Sequence, residues 1–324
     1  MNSDFGVRKG IYKSGLVRRV AHWMDDIARP FFALEILPTQ VAGVRVSRSA
    51  SVDAFAVQSL PAGSIRPSAV EANVASPAAV EAAVKEVAGQ LGARHKLVAL
   101  LVPDPVVRVF VQHFDEFPRS AADAVPMLRW KLKKSVPFEV EETLISYMRQ
   151  APREEGVDIV TALARLRIVR EYEALAEAAE LVPGVVLSSA LAAISLVDDS
   201  KAAMLARVSG LSLTTAIVRE NILCGYRCTD LPADASTLTP AVLLEEIFPM
   251  AAYYQDTWGE GLQSVNLSGL GRRVADFVGP LEAELHCTVR ALGTAAFSQG
   301  RAGADTRPLA EREMDGLMGW VQQG

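Results

Sequence analysis

"FFALEILPTQVAGVRV", residues 31–46, decides how the rest of the chain is read. Apolar residues fill both flanks of Leu-Pro-Thr-Gln. The stretch therefore predicts two short strands, 31–37 and 41–47, joined by a tight polar turn. Glu35 sits at the end of the first strand. An acid at a strand end beside a turn is how many phosphate-handling folds begin, with backbone N–H groups of glycine or small residues meeting the phosphate. Here the turn holds Leu37 and Pro38 instead. Three readings follow: a working phosphate site, a decayed one, or an ordinary hairpin.

Working outward, "DAFAVQSLP" predicts a third strand of a meander. "PAAVEAAVKEVAGQLG" predicts a helix, with Pro77 in its first turn and Ser76 as its cap. "KLVALLVP" is a buried strand by its unbroken apolar run. "VVRVFVQHF" alternates as a strand, and "SAADAVPMLRWKLKKSV" is a helix in which Pro126 predicts a kink or a later start. "TLISYMRQ" and "VDIVTALAR" read as strands, "RIVREYEALAEAAELV" as a helix, "GVVLSS" as a strand and "ALAAISLV" as a helix.

From about residue 199 the same grammar restarts. Three strands are followed by "TPAVLLEEIFPMAAYYQDTWG", one helix or two split at Pro249, then strand, helix and strand to "TVRAL". Two halves that each open with a meander and continue β-α-β predict an α/β protein of two similar domains facing a cleft. The expected boundaries are 31–198, with a small inserted subdomain at about 106–150, and 199–297. An amphipathic N-terminal extension, 1–30, carries Leu16, Val20, Trp23 and Ile27 at helical spacing and stops at Pro30. A polar linker and a second amphipathic helix fill 298–324.

Composition narrows the function. A net charge of −5 weighs against nucleic acid as the main partner. Three cysteines, Cys224, Cys228 and Cys287, are too few for a disulfide framework, and the four histidines show no zinc spacing. No apolar run approaches the roughly 20 residues of a membrane span, so a soluble cytoplasmic protein is expected. Ser188 and Ser189 lack the G-x-S-x-G of a nucleophile elbow, and no G-x-G-x-x-G is present. Glu141 with Glu142, and Glu245 with Glu246, are adjacent and so do not face one another as acid and base.

The pattern resembles the actin-like (ribonuclease H-like) ATPase superfamily, and within it PilM-like assembly proteins of type IV pilus systems. The resemblance spans about 31–292. Its strongest piece is "FDEFPRSAADAVPMLRWKLKKSVPFEVEETLISYMRQ", where Pro118, Pro137, Phe138, Glu141, Glu142 and Tyr147 stand at expected positions.

The resemblance implies ATP and Mg²⁺ as ligands of the family's cleft. In working members the first hairpin reads roughly D-I-G-s-s-x-x-K. Here Glu35 stands for the Asp, Leu37 for the Gly, Pro38 for a small residue and Ala42 for the Lys, while Thr39 keeps a hydroxyl. The second hairpin should read D-I-G-x-x-x-T. Gly210 and Thr214 remain, and Val208 falls at the acid's position. The adenosine segment is "LSGLG", keeping Gly269 and Gly271 with Leu270 between them. The candidate nucleotide residues are thus Glu35, Thr39, Gly210, Thr214, Gly269 and Gly271, in a degenerate site. Hydrolysis, binding without hydrolysis and no nucleotide stay open.

As function, the resemblance implies a cytoplasmic scaffold held at the inner membrane by partners. A groove beside the small subdomain would receive the N-terminal peptide of a PilN-like bitopic membrane protein. "VVRVFVQ" is the strand expected to offer its edge, with Arg108, Val109 and Gln112 as contacts. The competing reading is an active actin-like ATPase or phosphotransferase using ATP and Mg²⁺, and a third is a filament-former.

Overall fold

The computed structural model describes residues 30–48, 51–152, 156–300 and 302–323. The predicted N-terminal helix lies outside the described residues. The opening hairpin forms as read: β1 (Phe32–Ile36) runs antiparallel to β2 (Gln40–Val46), which pairs with β3 (Val52–Ser59). β4 (Leu97–Val102) lies parallel to β1, and β8 (Val182–Ser188) parallel to β4. The five-stranded order is β3-β2-β1-β4-β8. β1 and β4 are buried along both faces, which is why their sequences are apolar without alternation.

The second half repeats the arrangement. β9 (Ala203–Ser209), β10 (Ser212–Arg219), β11 (Ile222–Asp230), β12 (Ser264–Ser268) and β13 (Thr288–Ala291) form a sheet of order β11-β10-β9-β12-β13. The two sheets have the same connectivity, so β9 and β10 are the counterparts of β1 and β2.

Helices cover these sheets. α1 (Pro77–Leu91) begins at Pro77, but the Ser76 side chain makes no capping bond, contrary to expectation. Its close seat on the sheet depends on Gly43, where a Cβ would lie 2.7 Å from Leu34, Val87 and Leu91. α2 (Ala121–Leu132) starts ahead of Pro126 and runs through it, capped by Ser120, which accepts from the Asp123 N–H. α3 (Leu166–Ala178) and the short α4 (Ser189–Ala193) complete the first half. In the second half α5 (Pro240–Trp258) is one helix containing Pro249, followed by α6 (Val274–Leu285) and α7 (Leu292–Ser298). The tail adds α8 (Arg307–Ala310) and α9 (Asp315–Gln322).

Between β4 and α3 the chain builds a third, three-stranded sheet. It consists of β5 (Arg108–Phe114), β6 (Thr143–Pro152) and β7 (Val157–Arg165) in the order β5-β7-β6. Its central strand lies past residue 150. One face packs under α2 through Phe114, Leu128 and Ile159. The opposite face, with Val109 and Ala162, joins the core of the first domain.

Candidate functional site

The two hairpins meet across the cleft. In the first, Glu35 pairs with Ala42, and the Leu37 N–H donates to the Gln40 carbonyl at 2.9 Å, leaving Pro38 and Thr39 at the tip. In the second, Arg207 pairs with Thr214 and Ser209 with Ser212, leaving Gly210 and Leu211 at the tip. Counting from the tips, Arg207 and not Val208 is the counterpart of Glu35. This corrects the sequence alignment by one residue. Val208 is instead buried in the second domain's core.

Arg207 joins the domains. Its Nη2 donates to Glu35 Oε1 at 3.2 Å and its Nη1 to Asp104 Oδ2 at 2.8 Å. Asp104, in the short turn after β4, also accepts from the Thr214 hydroxyl at 3.1 Å and from the Ala190 N–H at 2.7 Å. Glu35 and Asp104 are 0% exposed and Arg207 4%. Burial pushes the Glu35 carboxyl above its usual range, with Arg207 opposing. Burial by itself would lower Arg207, but Asp104 and Glu35 hold it above its ordinary value, so the guanidinium stays charged.

The tail closes the same space. Asp315 accepts from the Ser268 hydroxyl, and Glu313 from the Gly271 N–H. Gly316 lies against Glu35, where a Cβ would come within 2.3 Å of Oε1. Gly269 takes φ +78°, and a Cβ there would fall 1.8 Å from the Val208 carbonyl oxygen. Its glycine thus serves a close backbone crossing. Gly210 takes φ +59°, with room for a methyl only 3.4 Å from the Pro38 ring, so the two hairpin tips touch. Thr39, Gly210 and Gly269 share a cavity of about 370 Å³ with Arg207, Arg312 and Glu313, and Gly271 lines a neighbouring one of about 670 Å³.

A second concavity lies between the small sheet and β8. It measures about 360 Å³, with Leu144 and Ser146 of β6, Ala162 of β7 and Val185 of β8 on its walls. The register pairs Leu144 with Ala164 and Ser146 with Ala162, so one sheet face forms the wall. β8 is the outer strand of its sheet, with no further strand beside it among the described residues. The strand expected to offer its edge lies elsewhere. Val109 lines a different cavity, of about 290 Å³, against Cys224 and Tyr226 of β11. Arg108 acts on Cys228 of that strand, whose thiol burial pushes up to about 12. Val109, Phe110 and Val111 of β5 therefore face the second domain, and on the far strand of the same sheet Gln150 of β6 bonds both the N–H and the carbonyl of Leu223, at 2.7 and 2.9 Å.

No protein-family model and no curated protein matches the sequence. Solved structures do. A chain of the PilM–PilN type IV pilus biogenesis complex superposes with a TM-score of 0.67 at 17% identity, covering 90% of this chain and 98% of that one. The chain shares that fold. The cytoplasmic domain of EpsL, an inner-membrane component of the Vibrio cholerae type II secretion system, gives 0.46 at 13% identity over 74% of this chain and 82% of that one. A Bacteroides thetaiotaomicron protein with an actin-like ATPase fold gives 0.47 at 11% identity, over 86% and 94%.

The resemblance read from the sequence implies ATP and Mg²⁺ in the cleft, and the residues present do not fit them. The second acid is Arg207, which neutralises the first. Thr214 is committed to Asp104, Gly271 N–H to Glu313 and Ser268 to Asp315. Pro38 has no N–H to offer a phosphate. Among the described residues no group of three or more His, Cys, Asp or Glu is placed to hold a metal ion. Sequence reading missed Asp104, Arg207, Glu313 and Asp315. The available signal was Arg207 itself, a lone charge in the otherwise apolar strand "AMLARVS", since a buried charge requires a partner.

Proposed function

We propose that this chain is a PilM-like scaffold of a type IV pilus or related secretion assembly. Its groove between the small sheet and β8 binds the cytoplasmic N-terminal peptide of a PilN-like membrane protein. The observation that carries the reading is the groove itself: a free strand edge facing an apolar wall. An extended peptide laid along β8 gains main-chain hydrogen bonds from the edge, and its alternate side chains meet the wall. Leu144, 47% exposed, and Val182, 50% exposed at the start of β8, leave apolar surface for such a peptide to cover. No helix among the described residues is long and apolar enough to cross a membrane. The protein is held at the cytoplasmic face of the membrane by this peptide, without nucleotide turnover.

The test is calorimetric titration of the full chain with a synthetic N-terminal peptide of a PilN-like membrane protein from the same organism. Saturable binding is expected. Ser146→Arg, which places a charged chain on the wall, should weaken it by about tenfold or more. Arg108→Ala, on the side facing β11, should leave it unchanged. No binding, or equal binding by the Ser146 variant, overturns the proposal.

A further inference from the structure

The tail reaches both domains at once. Met314, Leu317, Met318 and Trp320 belong to the first domain's core and are 0% exposed. Gly319 crosses α4 so closely that a Cβ would lie 2.1 Å from the Ala192 carbonyl oxygen, and Ser195 Oγ donates to the Gly319 carbonyl at 2.9 Å. From this seat two carboxylates project onto the second domain, Asp315 to Ser268 and Glu313 to Gly271. Glu313 holds φ +55°, a left-handed conformation that non-glycine residues rarely adopt. That turn brings the chain out of α8 and aims the acidic pair at the "LSGLG" segment.

We propose that the cleft of this chain is an intramolecular binding site for its own acidic tail, residues 312–323. The tail clamps the two domains in one orientation where other actin-like proteins hold a nucleotide. Its carboxylates occupy the hydroxyl and N–H that an incoming anion would use. Arg207, the cation at the centre, is already shared by Glu35 and Asp104. An added phosphate would meet three buried carboxylates, Glu35, Asp104 and Asp315, around one guanidinium. The domains are closed by bonds within the chain, so their closure is independent of ATP.

Hydrogen exchange read by mass spectrometry on the full chain tests this. Amides of 315–322 should be protected on the timescale of β1 and β9. Millimolar ATP with Mg²⁺ should not change protection at 37–40, 209–212 or 268–271. The double variant Glu313→Ala, Asp315→Ala should lose about tenfold or more protection at 268–271 while β1 and β4 keep theirs. Gly316→Leu, whose side chain collides with Glu35, should do the same more strongly; if it fails to fold, the double variant decides. Exchange of 315–322 within seconds in the unaltered chain overturns the proposal. So does protection gained with ATP, or protection at 268–271 unchanged in the double variant.

Discussion

Arg207 Nη2 lies 3.2 Å from Glu35 Oε1, and this contact joins the first strand of one domain to the first strand of the other. The two residues hold equivalent places in two equivalent hairpins. Where the resemblance leads one to expect two acids flanking a metal, the chain has an acid and a base paired with each other. The ion pair turns an active cleft's most polar point into a structural joint.

Removing the guanidinium should therefore cost much more than removing a surface charge. Arg207→Met leaves Glu35 and Asp104 buried without their cation, and the loss should be about 3–5 kcal/mol. Adding Glu35→Gln and Asp104→Asn to the same chain should recover part of it, because two of the three buried carboxylates around the lost cation are then neutral amides. Urea unfolding of the two variants beside the parent measures both effects. Equal stability of the parent and Arg207→Met would show that the joint carries no weight.

Asp315 predicts a pH dependence. Burial raises its pKa from the ordinary 3.8, with Ser268 and Arg207 opposing. A carboxyl whose folded pKa is raised contributes stability fully present below its unfolded pKa and lost as pH rises through the folded one. Asp315→Asn removes that ionisation and can still accept from Ser268. Its melting temperature relative to the parent should climb as pH increases from about 4 toward neutrality. A flat difference across that range would count against the shift.

Gly269 separates the structural reading of a glycine motif from the nucleotide reading. Its positive φ and the crossing over the Val208 carbonyl both exclude a side chain. Gly269→Ala should destabilise the protein by about 2–5 kcal/mol, combining the left-handed penalty with overpacking. Thermal melts without any ligand would show it. A variant as stable as the parent would return the glycine to a ligand-binding role.

Gln150 ties the small sheet to β11 through two hydrogen bonds to Leu223, and is 3% exposed. Gln150→Ala leaves a backbone N–H and a carbonyl unpaired at a strand edge. A loss of about 1–3 kcal/mol is expected in chemical denaturation. Faster exchange should be confined to β11 and β6.

Local rules in the sequence were enough for the strands of the described residues and their order, while the short helices Leu292–Ser298 and Arg307–Ala310 went unread. The repeated meander and β-α-β grammar comes from apolar runs and turn residues, signals that act over a few positions, and the resemblance to the PilM-like fold rests on the same local patterns. The degeneracy of the first hairpin was also legible, because Leu37 and Pro38 lack by themselves what a phosphate turn needs. What the sequence could not supply was which distant residues meet. Arg207 became Glu35's counterpart only when strand register was known, and a one-residue slip had put Val208 there. Asp104 carries no local mark of its role, which arises where β9, β10 and α4 converge on its turn. The tail read as an amphipathic helix behind a polar linker; α9 is first-domain core, and Glu313 and Asp315 bond the second domain. The edge of β5 looked free until β11 was packed beside it. The register is set within one hairpin, but the Glu35–Arg207 pair, the Asp104 cluster and the docked tail rest on contacts 42 to 172 positions apart. Burial, register and charge pairing at that range are properties of the assembled fold, and local periodicity carries no record of them.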